Sequence, residues 1–258
     1  MGHRQSAKAR AREARLRREA AATSHARRRR LALRVGAALA AASVLAAGVA
    51  LASSRGQRPV PAPPLAALKL RALRSLGSLR SPGAEGPLGP EGVPLPQAPE
   101  LAPAGASLHA VDGIQCLSNE QLVFHIHAHL TVFDRGRPRT IPYGIGIQAP
   151  RPLGTPAGIF VGGGACFFYL HTHSADGIIH IESPVTRTYT LGDFFDVWGQ
   201  PLGSNRVGPA VGHVTALYNG RLFVGDPRQI PLTAHAQIQL EIGRPLVAPV
   251  MITFPNGL

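Results

Sequence analysis

Soft metal ligands are nearly absent from this chain. Its 258 residues include only two methionines, Met1 and Met251, and two cysteines, Cys116 and Cys166. So few thioethers exclude a methionine-rich copper(I) site, and two cysteines this far apart in sequence do not signal a thiolate site. Aromatic residues make up 5% of the chain, which leaves little to stack on nucleic-acid bases. Acidic residues are scarce where the basic ones collect: residues 1–34 hold 12 Lys/Arg against Glu13 and Glu19. The formal charge is +10 for residues 1–34, +3 for 35–105 and 0 for 106–258, which together give the +13 of the whole. The high charge therefore belongs to one terminal segment and describes no basic face of a folded domain, and no nucleic-acid partner is expected.

Charge is missing altogether from Val35 to Ala52, a run of 18 residues of Val, Ala, Leu, Gly and Ser. At about 1.5 Å per residue such a helix nearly matches the hydrocarbon core of a bilayer. Arginines precede the run and none interrupts it, so the positive-inside rule places residues 1–34 in the cytoplasm and everything after Ser53 outside. Ala50-Leu51-Ala52 has the small-x-small form of a signal-peptidase site, while the length of the run and its basic preface favour an uncleaved single-pass signal-anchor. The arginines before Leu31 also fit a twin-arginine export signal loosely. No cysteine lies near the run, which argues against a lipoprotein anchor.

Residues 53–106 are rich in Pro, Ala, Gly and Ser, with Pro59, Pro61, Pro63 and Pro64 at one end and Pro94, Pro96, Pro99 and Pro103 at the other. That composition predicts a disordered linker. Within it, leucines at 68, 73, 76 and 79 with Lys69, Arg71 and Arg74 between them also suit a short basic helix on anionic lipid. From residue 107 to 258 alternating apolar runs are broken by Gly, Asn and Pro turns. This predicts a mainly β (α+β) extracytoplasmic domain with strands at 122–133, 166–173, 178–182, 186–191, 213–218, 222–224 and 236–242. One short helix is expected over 192–198, capped by Thr190 and presenting Phe194, Phe195 and Trp198. The order hairpin, helix, strand with an Asn219-Gly220 turn, closing strand resembles a β-grasp unit in the second half.

The chemistry is concentrated in histidines. His125, His127 and His129 alternate along one predicted strand and so share a face, as do His171 and His173 along another. If Asp176-Gly177 forms a two-residue turn, His173 lies opposite His180 and His171 opposite Glu182; a four-residue loop Ser174 to Gly177 puts His171 opposite His180. Either register leaves these four groups on one face. Converging imidazoles are costly in an apolar core and repel one another when protonated, whereas a divalent cation takes the neutral rings as ligands. His125, His127, His129, His171, His173 and His180 are the candidate metal ligands, with Glu182 and His213 as second-sphere candidates. Copper(II) and zinc fit equally; two cations, or one cation with a spare histidine and Glu182 outside it, account for the number of rings. His109 and His235 read as solvated or hydrogen-bonded side chains.

Cys116 and Cys166 lie beyond the apolar run, where disulfides persist, and can pair in only one way. Closing that loop stabilises the domain by about 4 kcal/mol in the chain-entropy treatment.

Leu170-His171-Thr172-His173, Gly177-Ile178-Ile179-His180-Ile181-Glu182-Ser183-Pro184 and Phe194-Phe195-x-x-Trp198-Gly199 resemble the histidine-rich core of uncharacterised bacterial exported proteins. The likeness spans most of residues 110–258 and implies no activity or ligand set. Cupins also present His-x-His, but their carboxylate follows sooner than Glu182 follows His173.

Three functional classes remain open. The first is a membrane-tethered extracytoplasmic metal-binding protein for acquisition, buffering or sensing of copper or zinc. The second is a metal enzyme in which three histidines hold the cation, an open position binds water or dioxygen, and Glu182 or a spare histidine acts as base. The third is an envelope interaction module whose histidines titrate normally. The sequence names no protein partner.

Overall fold

A computed structural model describes Pro64 and residues 67–258, so the basic segment 1–34 and the apolar run 35–52 lie outside the described residues. The fold is mainly β, with one α-helix among the described residues. Its main sheet has eight strands: β1 (Leu70–Arg71), β2 (Phe124–Asp134), β3 (Arg137–Arg139), β4 (Leu170–His171), β5 (Ile178–Ser183), β6 (Val214–Tyr218), β7 (Arg221–Phe223) and β8 (Ala236–Ile242). Their spatial order is β1-β7-β6-β8-β2-β5-β4, and β3 pairs with the end of β2 beyond β5. β8 runs parallel to β2, and the other pairings are antiparallel.

Alternation gives the sheet two unlike faces. Ala128, Leu130 and Val132 of β2, Ile179 and Ile181 of β5 and Ile238, Leu240 and Ile242 of β8 join one buried cluster with Phe194, Phe195 and Trp198 of the helix. That helix, α1 (Leu191–Trp198), starts one residue before the expected bound and has the expected cap at Thr190. The Thr190 side chain accepts from the Asp193 amide, the Asp193 carboxylate accepts from the Thr190 amide, and Gly199 ends the helix in the left-handed conformation at φ 75°.

The opposite face carries His125, His127, His129 and Thr131 of β2, His180 and Glu182 of β5, and Gln237, Gln239 and Glu241 of β8. Much of it is nevertheless buried, because the two ends of the described chain lie across it. The C-terminal stretch bonds to the polar side chains directly: Val250 N–H donates to Gln239 Oε1, and Ile252 N–H to Gln237 Oε1. Arg80 in turn exchanges backbone hydrogen bonds with Leu246 and Ala248.

Residues 67–106, expected as part of a disordered linker, are therefore laid onto the domain. Leu70 and Arg71 pair with Phe223 and Leu222, so the expected basic helix is reduced to a single 3₁₀ turn at Leu73–Leu76. Glu100 bridges Thr140, the Leu101 amide donates to the Thr140 carbonyl, and Val93, Leu101 and Ala102 are buried. Proline-rich backbone cannot bond to itself, so it finds partners on neighbouring segments, and its fixed φ lowers the entropy lost on ordering.

The strand expected over 166–173 is split. Cys166–Phe168 pairs with Cys116–Leu117 and Ile147–Gln148 in a separate sheet, and the chain then crosses to β5 as β4. Cys116 and Cys166 form the expected disulfide. Of the strand expected over 186–191, only Tyr189–Thr190 pairs, with Pro231–Leu232. The closing strand falls at Ala236–Ile242, as the alternation predicts.

Glu241 makes the fold sensitive to pH. Burial pushes its carboxyl up from the ordinary 4.5 to about 7, against the lowering effect of hydrogen bonds from Gln239 and the Val247 amide. Between pH 4.5 and 7 the unfolded carboxyl has lost its proton while the folded one keeps it, so this group's contribution to stability falls as pH rises through that window. Glu241→Gln, which keeps an acceptor oxygen, should show a smaller loss of denaturation midpoint than the wild type over the same interval. Equal losses in urea titrations of the two proteins would exclude this role.

Candidate metal centre

The site is assembled on β5 and its two neighbours. Antiparallel pairing sets His180 opposite His127 on one side and opposite His171 on the other, and sets Glu182 opposite His125. The pairing of His171 with His180 is the one expected from a four-residue loop at Ser174 to Gly177. His173 lies just past β4 and is held by backbone: its Nδ1–H donates to the Val161 carbonyl, whose own residue amide donates to the His173 carbonyl. Gly146 backs His171; it has φ +70°, and a Cβ there would come within 2.2 Å of the Leu170 oxygen and 3.1 Å of the His171 Cβ.

Two overlapping sets of side chains can hold a metal ion. One is His125, His127, His180 and Glu182; the other is His171, His173, His180 and Glu182; within each set the donor atoms lie within 4.8 Å of one another. In the first set, His125 Nε2 is 3.1 Å from His127 Nε2 and 3.2 Å from Glu182 Oε1. His180 Nδ1 is 3.1 Å from His127 Nε2 and 3.4 Å from Glu182 Oε1. Ligands about 2.0 to 2.2 Å from a tetrahedral cation stand about 3.3 to 3.6 Å apart, so these atoms are within a few tenths of an ångström of such a shell.

The second set shows most directly what the rings are prepared for. His171 Nδ1–H donates to the Phe168 carbonyl at 2.8 Å and His173 Nδ1–H to the Val161 carbonyl. A carbonyl oxygen only accepts, so each ring carries its proton on Nδ1. Burial, the neighbouring rings and, for His173, His180 in particular hold both imidazoles below their usual range, and both are neutral at neutral pH. Their Nε2 lone pairs then face each other at 3.1 Å with no proton between them. This arrangement repels unless a cation stands between the two nitrogens.

Burial, then His180 and His125, lowers His127 to about 3, so it too is a neutral donor. His180 behaves differently. Burial alone would lower it, but hydrogen bonds and charge from Glu182 and Glu91 outweigh that and raise it to about 9. Its Nε2–H donates to Glu91 Oε1 at 2.7 Å, which leaves Nδ1 pointing at His127 and Glu182.

His125, His127, His171, His173 and His180 thus converge, together with Glu182, for which ligand, second-sphere and surface roles were open and which offers a donor atom to both sets. His129 belongs to neither set. It lies opposite Ile178, past the end of the cluster, and its Nε2–H donates to the Asp176 carbonyl at 2.9 Å; burial lowers it to about 4. His213 is exposed just before β6 and also belongs to neither set. Two carboxylates escaped the sequence reading. Glu91 comes from the proline-rich segment, and Glu120 lies 3.5 Å from His173 Nε2 and 4.0 Å from His171 Nε2. The cysteine pairing carried a clue to Glu120, because Cys116 ties its loop to the strand that leads to His171.

The division between His127 and His129 can be measured. His129→Ala should leave the bound-metal content unchanged and cost about 1 to 3 kcal/mol of stability through the orphaned Asp176 carbonyl. His127→Ala should lower the metal content; the reverse pattern would put His129 in the site. Comparison with protein-family models, curated proteins and solved structures gives no match, so the donor set itself has to carry the functional reading.

Proposed function

We propose that this chain is a membrane-tethered extracytoplasmic protein that binds a divalent cation, copper(II) or zinc, for acquisition, buffering or sensing. The single observation that carries the reading is the buried pair of unprotonated Nε2 atoms of His171 and His173, which face each other 3.1 Å apart. A nitrogen and carboxylate donor set without sulfur suits zinc and copper(II) and disfavours copper(I). His180 donates its second ring N–H to Glu91, and such a hydrogen bond fixes the tautomer and raises the basicity of a ligating imidazole.

Binding is favoured over catalysis by the part Glu182 plays in both donor sets. A cavity of about 470 Å³ is lined by His129, Thr131, Phe133, Asp176 and Gly177 among others, and its lining includes none of the six converging residues. Glu182, one of the candidate bases for an enzyme, is itself among the donor atoms. An envelope module with freely titrating histidines suits the site poorly, since His127 and His171 are buried and lowered.

The framework supports a β-grasp-like reading that is wider than the second half of the chain. The β2 and β5 pair, then α1, then the β6–β7 hairpin, and then β8 inserted beside β2 and parallel to it give such an order. The tether rests on the apolar run at 35–52 and its arginine preface; among the described residues no helix is long and apolar enough to cross a membrane.

Elemental analysis of the full chain, purified without an affinity histidine tag and exposed to zinc or copper(II), should find at least one equivalent retained. Added metal should also raise the unfolding midpoint, by about 4 kcal/mol of stability at a thousandfold excess over Kd. His171→Ala/His173→Ala should lose metal and part of that response; a metal-free wild type whose stability ignores both ions would overturn the reading. Cell fractionation tests the tether, which predicts an intact chain in the membrane fraction. Recovery of a soluble chain beginning after Ala52 would mean a cleaved signal instead.

A further inference from the structure

We infer that the site holds two cations bridged by the carboxylate of Glu182. The inference rests on the metal-binding reading above and concerns how the donors divide. His180 and Glu182 are common to both sets, but they cannot be shared in the same way. The Nε2–H of His180 is given to Glu91, so only Nδ1 is free to ligate, and it faces His127 and Glu182 Oε1. His180 therefore belongs to the set with His125 and His127.

Glu182 has two oxygens, and they point to different sets. Oε1 is 3.2 Å from His125 Nε2 and 3.4 Å from His180 Nδ1. Oε2 is 3.9 Å from His171 Nε2, is buried and has no hydrogen-bond partner. A buried carboxylate oxygen without a hydrogen-bond partner is costly unless a bound cation satisfies it. It is aimed at the pair of His171 and His173 lone pairs, which also lack a partner between them. One cation placed there satisfies all three atoms.

Glu120 completes this second position. Its Oε1 lies 3.5 Å from His173 Nε2 and 4.0 Å from His171 Nε2. Each centre then has four donors: His125, His127, His180 Nδ1 and Glu182 Oε1 at the first; His171, His173, Glu182 Oε2 and Glu120 at the second. A single zinc ion takes four ligands, and held by the first set it would leave the His171 and His173 Nε2 atoms and Glu182 Oε2 facing one another without a proton or a cation between them. The two oxygens of one carboxylate can serve cations about 3.5 to 4 Å apart, the usual spacing of paired metal sites.

The test uses the full untagged chain loaded with zinc(II) or copper(II) and freed of excess metal by dialysis. Elemental analysis should give two ions per chain, and His171→Ala/His173→Ala should keep one. In the copper(II) form, bridged ions couple magnetically, so the electron paramagnetic resonance signal should integrate to well below the total copper. Two ions with a full-intensity signal would overturn the bridge. One ion per chain would overturn the pair and leave the metal-binding function standing, whereas no retained ion would remove both.

Discussion

The constraint on which the site depends is the pairing of β5 with a neighbour on each side. Backbone hydrogen bonds fix His180 opposite both His127 and His171, so three imidazoles lie in a row across three strands. A slip of one residue in either ladder would turn the histidines of one strand into the apolar core and its isoleucines or alanine toward the site. The core thus enforces the site: Ile179 and Ile181 alternate with His180 and Glu182, and burying the first two leaves the others only one face to occupy.

Convergence on a sheet face would ordinarily leave the rings in water. Here the covering segments change their chemistry. Glu91 and His180 are both nearly buried, and His171 is fully so. Burial holds His127, His171 and His173 neutral and leaves the Nε2 lone pairs of His171 and His173 facing each other, while the nearby carboxylates keep a proton on His180. In the metal-free protein that imidazolium is the one positive group among Glu91, Glu182 and the neutral rings. A dication placed beside Nδ1 would take over its electrostatic role and release its proton.

The histidines and the order of the strands were legible in the sequence because both follow from period-two alternation, which needs no tertiary information. Alternation correctly placed His125, His127 and His180 on one face, yet it also placed His129 there without showing that β2 outruns the cluster at that point. That limit depends on the Asp176–Gly177 turn, whose carbonyl captures the ring. Glu182 was visible on the same face in either register, but parity alone does not tell a ligand from a second-sphere or surface carboxylate. Glu91 was not legible, because composition alone reads a proline-rich stretch as a tether and says nothing about a surface on which it can lie. The run from 166 to 173 looked continuous because a switch between sheets at Tyr169 leaves no mark on hydropathy.

The carboxylates that the sequence did not reveal share a physical character. His125, His127, His171 and His180 sit on strands, and His173 is pinned to Val161, so the nitrogen framework is set by the sheet. Glu91 and Glu120 come from segments outside it, one laid across the polar face and one tied down through the disulfide. Rigid nitrogens lower the entropy cost of capturing an ion, because the rings lose little freedom on binding. Carboxylates on covering segments can shift by fractions of an ångström at less cost to the core. Such a division lets one sheet present a fixed set of lone pairs while the outer segments adjust charge and access. In the proposed metal site, a change in ion selectivity is therefore expected more readily at Glu91 or Glu120 than at the histidines, whose positions the core and the backbone already hold.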